Sequence, residues 1–248
     1  MKKIICKEFG PVDNLVWEDV EDQDPLPNEV IIDVKAAALN FPDYLIVQGL
    51  YQFQPPLPFT PGNEGAGVIK KIGSQVTSHK VGDRVSFMSA IGAFAEEIAL
   101  DQNLVFKMQD DMSFEVAASY QLAYGTSYHA LVQRGNLSKD EELLVLGGSG
   151  GVGLAAIDIA KAFGARVVAA VSTKEKAQIC LDYGADDVVL YGSLKLEREE
   201  QKAFSRELKT KSTKGGFDLI YDPIGDCFSE PSFRSIGWGG RYLVVGFA

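Results

Sequence analysis

The stretch from Leu143 to Gly164 reads LLVLGGSGGVGLAAIDIAKAFG, and it decides the fold. Leu143 to Leu146 is a short apolar run of the kind buried on both faces of a parallel sheet. Gly148, Gly150 and Gly153 follow in the order G-x-G-x-x-G, and Leu154 to Phe163 continues at helical spacing. In such a turn the first glycine permits the bend, the second lets a pyrophosphate approach the backbone, and the third lets helix and strand pack closely. The phosphates would rest on unpaired N–H groups at the helix N-terminus. Strand, glycine turn and alanine-rich helix together predict a dinucleotide site.

The rhythm of that unit continues toward the C-terminus. Val167–Val171, Val188–Tyr191, Leu219–Asp222 and Tyr242–Gly246 read as strands, with helices expected over Lys174–Tyr183 and Lys195–Lys209. This alternation predicts a doubly wound parallel sheet. Toward the N-terminus the pattern is different. Short strand-like runs (Ile4–Phe9, Leu15–Val20, Val30–Ala36, Gly65–Ile72, Val85–Met88, Ala93–Ala99, Leu104–Lys107) are separated by turn residues, as in a partly closed barrel. Between them lies Leu39–Gly62, which holds five of the ten prolines and reads as one long irregular connection beside a binding site. Helices are expected at Phe114–Ser119 and Tyr124–Gln133, so the change of pattern falls near residues 115–125.

Composition bounds the function. The 248 residues are 46% apolar and 23% charged, enough for a packed core. A net charge of −10 argues against a general nucleic-acid binder. Cys6, Cys180 and Cys227 are widely spaced and form no C-x-x-C pair, which fits a reducing, cytoplasmic setting. No uncharged run approaches the ~20 apolar residues of a membrane span.

The second strand of the glycine unit indicates the cofactor. Where an NAD site places an acidic residue, this strand ends in Ser172-Thr173, followed by Lys174-Glu175-Lys176. Hydroxyl and ammonium groups there suit the 2′-phosphate of NADPH; Glu175 is the one residue that would favour NAD if it turned inward.

In their order, these motifs resemble the zinc-free quinone oxidoreductase branch of the medium-chain dehydrogenase/reductase superfamily. The resemblance rests on NFPDYLIVQGLY at Asn40–Tyr51, PLPFTPG at Pro56–Gly62, VGDRV at Val81–Val85 and GSGGVG at Gly148–Gly153. It continues in GAD at Gly184–Asp186, DPIG at Asp222–Gly225, GGR at Gly239–Arg241 and VGFA at Val245–Ala248. It implies an α/β chain with a GroES-like partly closed β-barrel domain over 1–118 and a Rossmann domain over 119–248. Relatives continue past the position of Ala248, so the expected doubly wound sheet is incomplete at its C-terminal end and the family's homodimer contact is in question. The implied reaction is hydride transfer from NADPH to a quinone or an α,β-unsaturated carbonyl. Alternatives are reduction of an enoyl thioester such as an acyl-CoA, and a non-catalytic NADPH-binding or RNA-binding role. Carried over position by position, Asn40, Asp43 and Tyr51 become substrate-side groups, with Asn40 or Tyr51 the donor to the acceptor oxygen. Asp43 orients its neighbours or caps the turn after Pro42. On the cofactor side, Thr126, Gly148, Gly150, Gly151, Val152, Gly153, Ser172, Lys176, Tyr191 and Phe247 occupy family positions. Zinc-dependent members carry Cys in place of Asn40 and His in place of Asn63, so no metal is expected here.

Overall fold

A computed structural model describes residues 1–192 and 195–246. The chain divides into two compact units, the first covering residues 1–122 and the second beginning at Ala123.

In the first unit β1 (Lys2–Ile5) and β2 (Val16–Asp19) form an antiparallel pair. The main sheet uses β3 (Glu29–Ala37), β4 (Glu64–Ile72), β5 (Arg84–Met88), β6 (Glu97–Asp101) and β7 (Val105–Lys107). All are antiparallel, in the order β6-β3-β4-β5-β7. Register shifts between β3 and β4, at Ile31/Ile32 and Val34/Ala36, bend the sheet into the expected half-barrel. Val30, Ile32, Ile69, Val85, Phe87 and Leu100 fill it. Two helices complete the unit: α1 (Phe41–Val47) and α2 (Phe114–Ser119), the latter with the bounds read from the sequence. Helix α1 lies inside the proline-rich stretch that reads as irregular. Its Pro42 stands in the first turn, where proline's missing N–H costs nothing and its fixed φ favours the helix.

A helix α3 (Gln121–Tyr128) runs into a π-helical turn at His129–Arg134. There follow β8 (Glu142–Leu146), α4 (Gly151–Ala162), β9 (Arg166–Val171), α5 (Lys174–Asp182) and β10 (Asp187–Leu190). The last elements are α6 (Arg198–Lys211), β11 (Phe217–Asp222), α7 (Ser229–Phe233) and β12 (Ile236–Val244). The five strands are parallel in the order β10-β9-β8-β11-β12, which is the dinucleotide-binding order. Every residue of β8 is buried, as the apolar run requires.

Among the differences from the sequence reading, two element starts and one added helix have a plain physical cause. Helix α4 starts at Gly151 rather than Leu154, because the turn's last two glycines already lie in its first turn. Strand β12 starts at Ile236 rather than Tyr242. A Cβ on Gly216 would lie 2.7 Å from the Gly237 Cα, so the glycines there serve close strand approach and not a loop. Helix α7 was not expected; Pro231 within it hides the helical period.

Candidate functional site

Chain reversal makes the crevice of the second unit. From β8 the strands run outward through β9 and β10, then restart on the other side at β11, so the carboxyl ends of β8 and β11 flank the switch point. The glycine turn leaves β8 there. Its left-handed residue is Gly147 (φ 60°), which precedes the G-x-G-x-x-G motif, so Gly147 and not Gly148 makes the bend. Gly148 is required for packing instead: a Cβ there would lie 2.9 Å from the Ala169 Cβ and 3.1 Å from the Cys180 Sγ. Gly153 packs tighter still, since its Cβ would stand 2.5 Å from the Gly147 carbonyl oxygen.

Gly150 and Gly151 behave differently. A Cβ on Gly150 would meet only the Gly147 carbonyl oxygen at 3.4 Å, and one on Gly151 only the Ala123 Cβ at 4.0 Å. Nothing in the described chain demands glycine at either position. Among the described residues nothing else comes within 4 Å of either added Cβ, which is the room that close approach of a ligand's phosphates needs. Gly150 is the N-cap of α4 and has no side chain to satisfy the first-turn N–H groups of Gly151, Val152 and Gly153. From α3, Ser127 Oγ donates to the Val152 carbonyl at 2.9 Å and also bonds the Tyr221 hydroxyl at 2.9 Å. Tyr124 bonds Asp158 on α4 at 2.9 Å. These two tethers fix the helix segment that carries Thr126.

At the ends of β9 and β10 three of the expected cofactor residues come together. Lys176 Nζ donates to Ser172 Oγ at 3.1 Å, and the Tyr191 hydroxyl lies near enough to Ser172 to feel it electrostatically. The Tyr191 ring is half-buried against Phe228 and Phe204, with centroids 4.6 and 6.1 Å away, so packing sets its position. Thr173 caps α5 by accepting the Lys176 N–H at 3.3 Å. Glu175 is exposed and bonded to Thr173, which holds its carboxyl below the usual range. Phe247 lies outside the described residues.

In the first unit the substrate-side residues sit at the start of α1. Asn40 is its N-cap, and Asp43 closes a capping box by accepting the Asn40 N–H at Oδ2, 2.9 Å away. Asn40 Nδ2 donates to Asn63 Oδ1 at 3.0 Å and to Glu64 Oε1 at 2.8 Å. Glu64 Oε2 accepts the Leu122 N–H at 3.0 Å. Both Asn40 side-chain hydrogens are thus engaged, so the expected donation from Asn40 to an acceptor oxygen is not available in this geometry. The half-buried Tyr51 packs against the cluster of Cys6, Ile46, Val47 and Phe59. Asn63 has a part in this network that the sequence reading did not give it.

Asp43 is 2% exposed, and its Oδ1 has no hydrogen-bond partner among the described residues. Burial pushes its carboxyl up to about 6; the Asn40 N–H opposes the rise, the Glu64 charge adds to it, and the Gly62 amide opposes it least. An unfolded aspartate titrates near ~3.9. The folded chain therefore binds this proton more tightly, and stability falls as pH climbs from about 4 to about 6, then levels off. A gap of that size corresponds to about 2–3 kcal/mol. Asp43→Asn should abolish the step: urea melts at about pH 4 and pH 7 should show the variant gaining that much on the parent at the higher pH.

Two asparagines and a glutamate are a poor zinc set, since carboxamides are weak ligands and these two are bonded to each other. Among the described residues no group of three or more His, Cys, Asp or Glu side chains is placed to hold a metal. No helix of the described chain is long and apolar enough to cross a membrane.

A half-barrel unit followed by a parallel sheet in dinucleotide-binding order, with a glycine turn at its switch point, defines a two-unit architecture of the dinucleotide-binding class. Comparison with known proteins makes the class specific. Residues 26–110 match the alcohol dehydrogenase GroES-like domain, and residues 151–248 match the family described as zinc-binding dehydrogenase. Quinone oxidoreductase-like protein 2 of Mus musculus is 36% identical over 94% of this chain and 65% of its own length. Human quinone oxidoreductase is 32% identical over 99% of this chain and 73% of its own. Escherichia coli quinone oxidoreductase, solved in complex with NADPH, superposes with a TM-score of 0.87 at 31% identity, covering 100% of this chain and 76% of that one. The chain belongs to the medium-chain dehydrogenase/reductase superfamily, among its quinone oxidoreductase-like members. It spans about two thirds of the length of the curated relatives it matches.

Proposed function

We propose that the chain binds NADPH and reduces a quinone or an α,β-unsaturated carbonyl without a metal. The observation that carries the reading is the Lys176–Ser172 pair at the carboxyl end of β9, where an NAD site would place a carboxylate. Gly150 and Gly151 would admit the pyrophosphate, and the first N–H groups of α4 would bind it. Ser172, Lys176 and Tyr191 would hold the 2′-phosphate and its ribose. The relatives' printed names, and the NADPH in the Escherichia coli structure, agree with this assignment.

When bound, NADPH supplies the hydride. With it the acceptor would gain two electrons and one hydrogen, its oxygen would take up negative charge, and a proton from water would complete the reduced product. The protein's part is to align the acceptor and to stabilise the charged oxygen. Asp43 holds the N-terminus of α1 in place for this purpose.

Lys176→Ala tests the cofactor half. One charge-assisted contact is worth about 1.5–3 kcal/mol, so the ratio of NADPH to NADH affinity should drop by about tenfold or more. Fluorescence titration of both nucleotides measures it; an unchanged ratio would refute the 2′-phosphate assignment.

A further inference from the structure

We propose that Asn63 is the hydrogen-bond donor for the acceptor's oxygen, and that Glu64, acting through Asn40, fixes its amide with the donor end outward. The inference rests on the reductase reading for its substrate class, a carbonyl compound. The geometry of the first unit carries the rest.

The polarity follows from one end of the chain of bonds to the other. Glu64 is 1% exposed and one of its oxygens already accepts the Leu122 N–H, so its other oxygen can only accept as well. The side-chain atom of Asn40 facing that oxygen must therefore be Nδ2, at 2.8 Å. The same Nδ2 faces Asn63, so Asn63 must present Oδ1 to it, at 3.0 Å. That leaves the Asn63 Nδ2 turned away from Asn40, with both hydrogens unspent. Amide orientations are ambiguous when only neutral groups meet, but a buried carboxylate at the end of the chain removes the ambiguity.

This donor has no hydrogen-bond partner among the described residues, yet it is not sealed. Asn63 keeps 7% of its surface exposed. Among the described residues the fully buried, unpartnered side-chain polar atoms are Asp43 Oδ1 and His79 Nδ1, and Asn63 Nδ2 is not one of them. The backbone around it is pinned: Ser89 N–H donates to the Asn63 carbonyl at 2.8 Å, and Ala93 N–H to the Gly62 carbonyl at 3.0 Å. Asp43 holds the Asn40 N–H at 2.9 Å. A rigid, pre-aimed N–H₂ group with no protein acceptor is the arrangement that stabilises a developing oxyanion. In this reading Asn63 touches the substrate, while Asn40 and Glu64 are positioning residues.

Two isosteric variants reverse the polarity in different places. Asn63→Asp keeps the bond from Asn40 but turns a carboxylate oxygen outward. In Glu64→Gln the Leu122 N–H keeps the amide oxygen, so Nε2 faces Asn40; Asn40 and then Asn63 flip, and Asn63 shows its oxygen. The probe for binding is acetophenone, a carbonyl compound whose use needs no turnover. In ¹⁵N-correlated spectra the Asn63 side-chain amide pair, identified by its loss in Asn63→Asp, should shift as acetophenone is added to the parent. In Glu64→Gln the pair should not respond. A parent pair that stays still up to the solubility limit of the ketone, or one that responds equally in Glu64→Gln, would overturn the proposal.

Turnover separates this inference from the reading beneath it. With NADPH and an ortho-quinone, Asn63→Asp should lower kcat by about 100-fold, the order seen when one oxyanion donor is lost, while KM and NADPH affinity change far less. Turnover by Asn63→Asp at the parent rate would also overturn the donor role. A parent that reduces no acceptor would sink the reductase reading, and the acetophenone titration would still decide Asn63. Asn63→Asp alters only the outward end of the network, so it remains informative if Glu64→Gln does not fold.

Discussion

Asp222→Ala should cost the second unit about 3–5 kcal/mol of stability, the range expected when several buried donors lose one charged acceptor. Asp222 ends β11 and is 2% exposed. Its Oδ1 accepts the N–H groups of Ile224 and Gly225 at 2.9 and 2.8 Å. Its Oδ2 accepts Ser229 Oγ at 2.8 Å and the Tyr242 hydroxyl at 2.6 Å. One carboxylate thus ties the turn after β11 to α7 and β12, and burial together with this carboxylate raises the Tyr242 hydroxyl well above its ordinary range. The turn matters to the crevice, because a Cβ on Gly147 would lie 3.1 Å from Ile224 Cγ1. Losing Asp222 should therefore loosen both the fold and the glycine turn. Urea denaturation gives the first effect and nucleotide titration the second; Tyr242→Phe, which removes one donor of the four, should cost only about 1 kcal/mol.

Gly153→Val should be worse for binding than for folding. Any Cβ at this position falls 2.5 Å from the Gly147 carbonyl oxygen and 2.8 Å from the Gly148 Cα, which are backbone atoms without a rotamer to change. Helix α4 must then move away from the turn, at an expected cost of about 1–3 kcal/mol or more. The first N–H groups of α4 move with it, so NADPH affinity should fall by about 100-fold or beyond, since each charge-assisted bond contributes about 1.5–3 kcal/mol. A contrasting Gly150→Ala, whose Cβ meets the protein at 3.4 Å only, should leave the melting temperature nearly unchanged and still weaken NADPH. That pair separates a glycine needed by the fold from one needed by the ligand.

The parts of the molecule that follow from local pattern were legible in the sequence. Leu143–Leu146 and Val167–Val171 became the buried centre of the parallel sheet because uninterrupted apolar runs have few other places to go. Ser172, Lys176 and Tyr191 meet because strand ends in a parallel sheet line up on one edge. Glycine-rich beginnings were harder. Gly151 and Gly153 are poor helix formers, and only tertiary packing places them in the first turn of α4. Helix α1 lay hidden among prolines, although Asn40, Pro42 and Asp43 carry the spacing of a capped start. The role of Asn63 could not be read at all. It depends on a bond between residues 23 positions apart and on a carboxylate whose burial only the folded sheet creates.

The most direct measurement is the initial rate of absorbance loss at 340 nm when the protein is mixed with an ortho-quinone and either NADPH or NADH. The account predicts enzyme-dependent consumption of NADPH, with NADH slower by about tenfold or more at equal subsaturating concentration, as one 2′-phosphate contact requires. Equal rates with the two nucleotides, or bound NADPH that is not consumed, would contradict it.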